Sequence, residues 1–548
     1  MNYRQSVNTK FLPSQSFVRV RTKKLKKPVI IWSKEEECLS DLTDNGVYCL
    51  PQENESQCLY EDQTARTEVV DVYGGAGTGT AGGSGRCSIY RGLQTKGVGR
   101  TPLVSPDADV YHSSGRMTIE EACQEAIFSE VYGLCLPFGA VKTIAVISTG
   151  AKFFESSLDN ITMERHRALV LRPFVLRPAH FLRNIHFSPA VITQESKAAG
   201  LTADAYRVSQ AMPNLRNALV DSLSLTTGNE CDAEVVFLGL QELARRYAQQ
   251  IAASFAKRLP HGALSCSNVA LNGAYIDFGV SSYVADYRRQ ARPPEWADSW
   301  TEKNALLRTL GLLWMQYLPF QGIINSSAGH SGIRILHQNF EFHLKNRLKI
   351  EMVKMIGLPE DMVADLPKHL SESLFIEMKK VWMRGECEQF VSFAACPENR
   401  SSNPPPQRKG RYKLNEILSA LADAETAADI GRILVAKIDD AVLRYSFGNS
   451  FIGLIEWLKH RFGEKKFLAL RRYMKLQALR KNMPLNGLSR AKLQADLRNL
   501  EVNDESDIRK YIDEAVNAAS YVLADLHPFI PGASGFEQVE LLEKGFVL

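Results

Sequence analysis

Hydrophobic and polar positions alternate with a period of two in parts of the first third of the chain, which is the spacing of half-buried strands. Residues 67–73 (TEVVDVY) show this alternation, and residues 28–32 (PVIIW) form a second, short apolar strand. Residues 141–149 (VKTIAVIST) predict a third, buried strand. The rest of residues 1–66 has no clear period, and we expect it to be irregular.

Apolar residues recur at intervals near 3.6 residues in most of the remaining chain, which is the spacing of helices. Residues 113–134 predict a helix with Ser113 or Ser114 as its N-cap. Residues 231–260 predict a long amphipathic helix that its final proline ends. Residues 413–548 are nearly all of helical spacing. The pattern therefore predicts an α+β protein with an additional, mostly helical C-terminal region.

A glycine-rich stretch, residues 74–86 (GGAGTGTAGGSGR), follows the first alternating strand. Glycine lets the backbone approach a ligand closely and point N–H groups at phosphate oxygens. Residues 87–97 then predict a short hairpin that turns near Arg91 and Gly92, with Lys96 at the end of its second strand. A glycine loop between two strands, followed by a lysine, is how kinases hold nucleotide phosphates. A Rossmann site would instead need a helix directly after the loop.

A second informative stretch, residues 261–279, contains a histidine, an asparagine seven residues later and a DFG triplet. A hairpin that turns at Asn272 would place Asn268 before one short strand and Asp277 after the next. The outer ends of antiparallel strands lie side by side, so these two oxygen-bearing side chains predict a site for Mg²⁺ or Mn²⁺. In kinases the part from the histidine to the asparagine is H-R-D-x-x-x-x-N, in which the Asp is the base. Here Ala263 occupies the position of that Asp.

Charged residues in apolar surroundings extend the candidate site. Glu125 and Glu130 lie in the first predicted helix, and both are candidates to pair with Lys96 as a helix glutamate does in kinases. An arginine in an apolar run is costly unless it meets an anion or a carboxylate. The run of residues 168–183 contains three such arginines: Arg172, Arg177 and Arg183.

Bulk composition narrows the classes of protein that fit. At 548 residues, with 45% hydrophobic and 23% charged residues, the chain is expected to be globular with more than one domain or lobe. A net charge of +5 permits an anionic ligand such as ATP but does not favour a nucleic-acid-binding protein. No apolar run reaches the length of a membrane span, the N-terminus lacks a signal-peptide core, and the cysteines show no metal-ligand spacing. We therefore expect a cytoplasmic protein.

Taken together, several motifs resemble the SelO (YdiU) family, kinase-fold proteins once called pseudokinases. The resemblance covers roughly residues 12–365 and rests on short blocks in the same order. The blocks are GSGR (83–86), TKGVGRTP (95–102), SGR (114–116), QEAIFSE (124–130), RPFVLRPAHF (172–181), HGALSCSN (261–268) and DFG (277–279). They are similar to the family's G-D-G-R, L-K-G-A-G-x-T-P, D-G-R, R-E-F-x-x-S-E, R-x-A-P-S-x-x-R-F-G-x-F, H-G-V-x-N-T-D-N and D-Y-G.

The resemblance implies a two-lobed, protein-kinase-like fold that binds ATP in a flipped orientation and transfers AMP to protein hydroxyls. It implies that Lys96 and Glu125 form an ion pair, that Asn268 and Asp277 bind Mg²⁺ or Mn²⁺, and that catalysis depends on Lys96, Glu125 and Asp277. The residues implied to surround the phosphates are Gly83, Gly85, Arg86, Lys96, Gly115, Arg172, Arg177 and Asp277.

The chain departs from the family pattern at one position that matters for the chemistry. The family's proposed base is the Asp directly before the metal-binding Asn, and here that residue is Ser267. Serine cannot accept a proton at neutral pH as a carboxylate can. A tyrosine or serine acceptor would therefore need another activator, whereas an acceptor that is already ionised, such as a carboxylate, would need none.

Several functions stay open at this point. The leading one is a Mg²⁺-ATP-dependent nucleotidyltransferase that transfers AMP to a protein or peptide acceptor. The second is ATP-dependent activation of a peptide carboxylate for conjugation, as in the maturation of a microcin-type peptide. The third is a catalytically inactive ATP-binding scaffold. An ordinary γ-phosphoryl kinase is the weakest, because Ala263 replaces its base.

The same patterns divide the chain into four regions. Residues 1–66 are an N-terminal extension, residues 67–190 an N-lobe-like nucleotide-binding region, and residues 191–400 a mostly helical C-lobe-like region with the metal site. A proline-rich linker (401–411) leads into the helical C-terminal region (411–548). The resemblance does not extend to this last region, and we expect its helices to select a partner protein.

Overall fold

A computed structural model of the chain describes residues 8–34, 46–52, 59–75, 82–104, 114–156, 162–184, 204–284, 302–324, 326–383, 412–500 and 505–524. Three features predicted from the sequence lie outside these residues. They are the middle of the glycine-rich loop (76–81), Ser113 and the proline-rich linker (401–411).

An eight-stranded antiparallel sheet forms the centre of the N-terminal part, with the strand order β2-β7-β8-β6-β5-β4-β1-β3. The strands are β1 (Phe17–Lys24), β2 (Val29–Ser33), β3 (Tyr48–Cys49), β4 (Arg66–Asp71), β5 (Cys87–Tyr90), β6 (Leu93–Lys96), β7 (Ala145–Ser156) and β8 (Thr162–Pro173). Helices make up most of the remaining described residues. The α+β class predicted from the sequence is therefore confirmed.

The hairpin that carries Lys96 forms where the sequence predicts it. β5 and β6 pair along their full lengths, and the turn residues Arg91 and Gly92 have positive φ angles of 49° and 80°. Two consecutive residues of this kind make a tight turn that matches the twist of the paired strands. β8 pairs with the other edge of β6, so Lys96 is held inside the sheet, where its side chain is only 1% exposed.

The first residues contribute more to the sheet than their sequence pattern predicts. β1 pairs with β4 along most of its length and with β3 at its end. Val18 and Val20 of β1 are buried, whereas Arg19 and Arg21 on the opposite face are exposed. A period of two is therefore present over residues 18–21, but it is short, because Thr22 puts a polar residue at a buried position and two lysines follow. The prediction of an irregular segment is wrong for residues 17–24.

Eight α-helices lie in the described chain before residue 384, the first between β6 and β7 and the others after β8. They are α1 (Ile119–Cys135), α2 (Asp204–Ala211), α3 (Leu215–Leu223), α4 (Asp232–Ala256), α5 (Glu302–Tyr317), α6 (Ser326–Lys354), α7 (Glu360–Asp365) and α8 (Lys368–Met383). α4 ends before the predicted proline, because Arg258 adopts a left-handed conformation (φ 61°) and Leu259 N–H donates back to Ser254 O at 2.9 Å.

Helix α1 begins later than the sequence pattern predicts. Its N-cap is Thr118, whose hydroxyl accepts a hydrogen bond from Glu121 N–H at 3.2 Å. The Glu121 carboxylate in turn accepts from Thr118 N–H at 3.2 Å. This reciprocal capping box satisfies two donors of the first helical turn. The predicted N-cap at Ser113 or Ser114 is therefore wrong.

The C-terminal region is helical over its described residues, as predicted. Its helices are α9 (Leu414–Leu421), α10 (Ala427–Lys437), α11 (Ala441–Lys481), α12 (Arg490–Asn499) and α13 (Glu505–Leu523). α12 and α13 pack against α1, and α13 also contacts β2. One buried apolar cluster joins α1 to these helices. No helix in the described part of the chain has the length and apolarity needed to cross a membrane.

Candidate active site

Glu125 lies at the centre of a buried ionic cluster formed by α1, β6, β8 and the DFG turn. Its Oε1 accepts hydrogen bonds from Lys96 Nζ (2.7 Å) and from the backbone N–H of Phe278 (2.9 Å). Its Oε2 accepts one from Arg172 Nη1 at 3.3 Å. The three charged side chains are at most 2% exposed, so their charges depend on one another rather than on water. The structure thus brings Lys96 and Glu125 together.

Glu130, the other candidate partner of Lys96, pairs with two other lysines. Its Oε1 lies 3.2 Å from Lys142 Nζ, and its Oε2 accepts a hydrogen bond from Lys34. Five residues of helix correspond to a full turn plus about 140°, so Glu125 and Glu130 point in different directions. Only Glu125 of these two residues meets Lys96.

Asp277 lies on the partly exposed side of the cluster, here called its open side. Lys96 Nζ donates a 2.5 Å hydrogen bond to Asp277 Oδ1, and the Asp277 side chain is 29% exposed. Its second oxygen, Oδ2, has no hydrogen-bond partner among the described residues. Burial alone would raise the pKa of Asp277, but Lys96, Arg86 and Arg172 together hold that pKa well below its usual range. Asp277 is therefore ionised at neutral pH and has one oxygen available to a ligand.

The backbone of Asp277 is also unusual. Its φ of 72° lies in the left-handed region, which few residues other than glycine adopt. Such conformations persist only where the surrounding structure holds them, and they are common at functional sites. Here the next residue, Phe278, is held by its N–H bond to Glu125. The same carboxylate that pairs with Lys96 therefore also fixes the turn that presents Asp277.

Asn268 lies beside Asp277 across two short extended segments. Asn268 O accepts a hydrogen bond from Ile276 N–H at 3.1 Å. Val269 and Tyr275 form a single antiparallel bridge in place of the longer hairpin that the sequence predicts. The hairpin is therefore shorter than the sequence predicts, but it still places the two candidate metal ligands, Asn268 and Asp277, at the same end of the paired segments.

The side chains of Asn268 and Asp277 offer the oxygen ligands that Mg²⁺ prefers. Asn268 Nδ2 donates to Ala263 O at 2.8 Å, which fixes the amide orientation. Among the described residues, Asn268 Oδ1 accepts only one hydrogen bond, from the Ser267 hydroxyl at 3.4 Å. In the described chain no group of three or more His, Cys, Asp or Glu side chains could hold a metal ion by itself. A protein site for Mg²⁺ commonly supplies one or two oxygens, and phosphates and water complete the shell. The donors present here fit that role.

Arg172 and Arg177 lie on the buried side of the cluster, and they are 1% and 2% exposed. Arg177 Nη1 donates to Ser267 O at 3.0 Å. Both arginines also donate to the same atom, Oε1 of Gln94, at 3.0 Å each. Nε of Arg177 is buried and has no hydrogen-bond partner among the described residues. Gln94, which connects the two arginines, was not indicated by the sequence patterns.

Asp71 and His180 form a further buried pair that the sequence patterns did not indicate. His180 Nε2 donates to Asp71 Oδ2 (3.2 Å), and its Nδ1 accepts from Arg177 N–H (3.0 Å). Burial lowers the pKa of His180 despite the opposing effect of Asp71, so the ring is neutral. Burial would raise the pKa of Asp71, but His180 and Arg177 hold it below its usual value.

Arg183, the third arginine of the apolar run, lies outside the cluster. Its side chain is 50% exposed, and its Nε donates to Asp204 at 3.2 Å. Arg207 binds the same carboxylate from a buried position. Each arginine of the run thus meets a carboxylate or an amide oxygen, but only two of them face the candidate site.

The remaining candidates for phosphate contact are three glycines and Arg86. Gly83 and Gly85 have no room for a side chain, since a Cβ would stand 2.4 Å and 2.9 Å from neighbouring atoms. Gly115 has a φ of 64°, and a Cβ there would stand 2.3 Å from the backbone of Gly99. Burial would lower the pKa of Arg86, but the nearby carboxylates, including Asp277, raise it. Arg86 is therefore within electrostatic reach of Asp277.

His261 supports the loop between Pro260 and Asn268 and is fully buried. Its Nε2 donates to Ile276 O (3.0 Å), and its Nδ1 accepts from Ala263 N–H (3.3 Å). Burial lowers the pKa of His261 to about 4, so the ring is neutral at pH 7. Glu302, which the sequence patterns did not indicate, accepts hydrogen bonds from the backbone N–H groups at the start of this loop.

The C-terminal helices hold α1 in the position that presents Glu125. Trp32 Nε1 of β2 donates to Asp513 Oδ1 of α13 at 3.2 Å, and Gln494 Nε2 of α12 donates to Gln124 Oε1 of α1 at 3.5 Å. Gln124 Nε2 in turn donates to Phe278 O at 3.1 Å. The C-terminal region is thus connected to the DFG turn through the residue next to Glu125.

A pair of hydroxyl groups occupies the position at which the SelO pattern has a carboxylate base. Ser267 Oγ and Ser265 Oγ lie 2.8 Å apart, and Ser267 is 6% exposed. Among the described residues, neither hydroxyl forms a hydrogen bond to an Asp or Glu side chain. The site therefore has cations and oxygen-bearing side chains suited to phosphate and Mg²⁺, but the residue directly before Asn268 is a serine that no described carboxylate contacts by a hydrogen bond.

Comparison with known proteins does not assign this site. No protein-family model matches the chain, and no curated protein matches it significantly.

Proposed function

We propose that the chain is a Mg²⁺- and ATP-dependent nucleotidyltransferase with a two-lobed, protein-kinase-like fold related to the SelO family. The observation that carries the proposal is the continuous contact between Lys96, Glu125 and Asp277. It joins a strand, a helix and a DFG turn at one point. In kinase-like sites the same three roles hold the phosphates and the metal ion of a nucleotide.

The charge of the buried groups supports an anionic ligand. Three fully buried cations face two fully buried carboxylates, and Asp277 lies on the open side. The buried cations are Lys96, Arg172 and Arg177, and the buried carboxylates are Glu125 and Asp71. The ionised Asp277, which is hydrogen-bonded to Lys96, brings the count to three charges of each sign. If Asp277 shares its charge with a bound Mg²⁺, the three buried cations can attract further negative charge, and Nε of Arg177, which has no hydrogen-bond partner among the described residues, is one donor for it. We infer that phosphate groups of ATP supply this charge.

In the proposed reaction an acceptor oxygen attacks the α-phosphorus of ATP. A bond forms between that oxygen and the phosphorus, and the bond to the bridging oxygen of pyrophosphate breaks, so that pyrophosphate leaves with the electron pair. Lys96, Arg172 and Arg177 would stabilise the charge on the phosphates. When bound by Asn268 and Asp277, Mg²⁺ would neutralise further phosphate charge. The acceptor carries AMP at the end of the step.

The acceptor determines whether a base is needed, and one observation favours a carboxylate. A hydroxyl acceptor must lose a proton, but Ser267 and Ser265 offer only hydroxyl groups at the position of the family's base. A carboxylate acceptor is already ionised at neutral pH and has no proton to lose. Adenylation of a peptide carboxylate for conjugation, as in microcin-type maturation, is therefore the second candidate. An inactive scaffold, the third, would bind Mg²⁺-ATP without transfer.

Thermal unfolding with and without Mg²⁺-ATP tests the nucleotide site first. We expect Mg²⁺-ATP to raise the unfolding temperature of the wild-type protein and to have a much smaller effect on Asp277→Ala. The nucleotide site is wrong if the wild-type protein shows no shift, or if the variant shows the same shift.

Hydroxylamine then separates the two acceptor classes. It would trap a mixed anhydride between AMP and a peptide carboxylate as a hydroxamate, but it would leave AMP on a hydroxyl group in place.

A further inference from the structure

We propose that Gln94 is a positioning residue that keeps two arginines side by side without neutralising them, and so sets the affinity of the site for phosphate. The inference rests on the function proposed above and concerns the phosphate-binding part of that site. Gln94 lies in β6 two residues before Lys96 and is fully buried.

The contacts of Gln94 show how it connects the arginines. Its Oε1 accepts from Arg172 Nε and from Arg177 Nη2, each at 3.0 Å. An amide oxygen has two lone pairs and can accept both bonds at once. Two guanidinium groups this close repel each other, and a shared acceptor holds them together in a fixed geometry.

The orientation of the Gln94 amide follows from its neighbours. Its Nε2 faces the Asp71 carboxylate at 3.5 Å, while its Oε1 faces the two arginines. The reversed amide would point an NH₂ group at two cationic donors and a carbonyl oxygen at a carboxylate, which is unfavourable on both sides. Asp71 therefore fixes the direction in which Gln94 presents its oxygen.

The chemistry of this position explains why an uncharged acceptor matters. A glutamate here would keep an oxygen for both arginines, but it would cancel one of their charges and place its second oxygen beside the Asp71 carboxylate. A methionine would have a similar length and no charge, but it would lose the strong acceptor. If the role of Gln94 is to preserve positive charge for phosphate, glutamate is the more damaging change. If its role is only to hold the fold together, both changes lower stability and neither lowers the phosphate affinity of the folded protein.

Calorimetric titration with inorganic tripolyphosphate and with ATP, each with Mg²⁺, distinguishes the two roles. For both ligands we expect the affinity order wild type, then Gln94→Met, then Gln94→Glu. The glutamate variant should bind roughly ten-fold or more weakly, since it places a negative charge within a few ångströms of the phosphates. The methionine variant should bind about three-fold more weakly. Gln338→Glu, an exposed glutamine of α6, changes the net charge equally and should bind as the wild type does.

The inference is overturned if Gln94→Glu binds tripolyphosphate as tightly as the wild type, or if Gln94→Met binds more weakly than Gln94→Glu. Circular dichroism checks that both variants are folded. If the glutamate variant does not fold, unchanged affinity of the methionine variant overturns the inference, and a loss of about three-fold supports it. A wild-type protein that binds tripolyphosphate but not ATP would contradict the proposed nucleotide function and leave Gln94 testable.

Discussion

Replacement of Glu125 by glutamine tests the most connected residue of the site. Glu125 is fully buried and accepts hydrogen bonds from Lys96, Arg172 and the Phe278 backbone. Glutamine has nearly the same volume, but it replaces one acceptor oxygen with a donor that must face a cation or an N–H group. It also removes the carboxylate that accepts hydrogen bonds from both Lys96 and Arg172.

The expected loss of stability follows from these contacts. Removal of one partner of a buried charge pair costs about 3–5 kcal/mol, because the remaining charge cannot reach water. Lys96 retains Asp277 and Arg172 retains Gln94 as partners, so we expect a value near the lower end, about 3 kcal/mol. Urea unfolding followed by circular dichroism measures this difference.

Glu130→Gln is the matched control, since it makes the same change five residues further along α1. Its partners Lys34 and Lys142 are 47% and 40% exposed, so both can be solvated when the carboxylate is lost. We expect a loss of about 1 kcal/mol or less. Equal losses for the two variants, or a loss below about 0.5 kcal/mol for Glu125→Gln, would refute the assignment of Glu125 as the centre of the cluster.

Three further predictions test the loop, the metal ligand and a close backbone contact. The unfolded chain binds a proton on His261 near pH 6.5 and the folded chain only near pH 4, so the free energy of unfolding of the wild type should fall by up to about 3 kcal/mol as the pH drops through this range. The variant His261→Gln should lose this part of the pH dependence. Unfolding at several pH values measures it. Asp277→Asn should remove the effect of Mg²⁺ on ATP affinity in calorimetric titrations with Mg²⁺ or with EDTA, whereas the exposed Asp365→Asn should keep it. Gly115→Ala should lower the free energy of unfolding by about 3 kcal/mol or more, because its Cβ would collide with the backbone of Gly99. Gly463 has a similar φ but open space around it, so the control Gly463→Ala should lower the free energy of unfolding by only about 1 kcal/mol.

The sequence predicts elements whose signal is local. The Lys96 hairpin, the long helix before His261 and the helical C-terminal region all follow from short-range periodicity and turn residues. The periodicity does not predict β1, because its alternation covers only residues 18–21 before a polar residue, Thr22, takes a buried position. The sequence predicts the start of α1 too early, because Ser113 and Ser114 are also suitable N-cap residues and precede the Thr118 capping box.

The contacts within the site are less predictable, because they join residues far apart in the chain. Helical periodicity alone does not separate Glu125 from Glu130; the resemblance to the SelO family selects Glu125, and the packing of α1 on the sheet brings Glu125 rather than Glu130 to Lys96. Gln94 and His180 are ordinary polar residues in sequence, and their roles depend on contacts with Arg177. The motif order does assign Lys96 and Asp277 to one candidate site, since that order is shared with kinase-like sites, but their direct hydrogen bond is seen only in the structure.

The central claim is that the site transfers the α-phosphoryl group of ATP as AMP. The most direct measurement incubates the protein and Mg²⁺ with ATP labelled at either the α- or the γ-phosphate, and follows label on the protein itself and on added protein or peptide acceptors. The account predicts covalent label from the α-position, with release of pyrophosphate, and none of either with Asp277→Ala. Covalent label from the γ-position alone would contradict it.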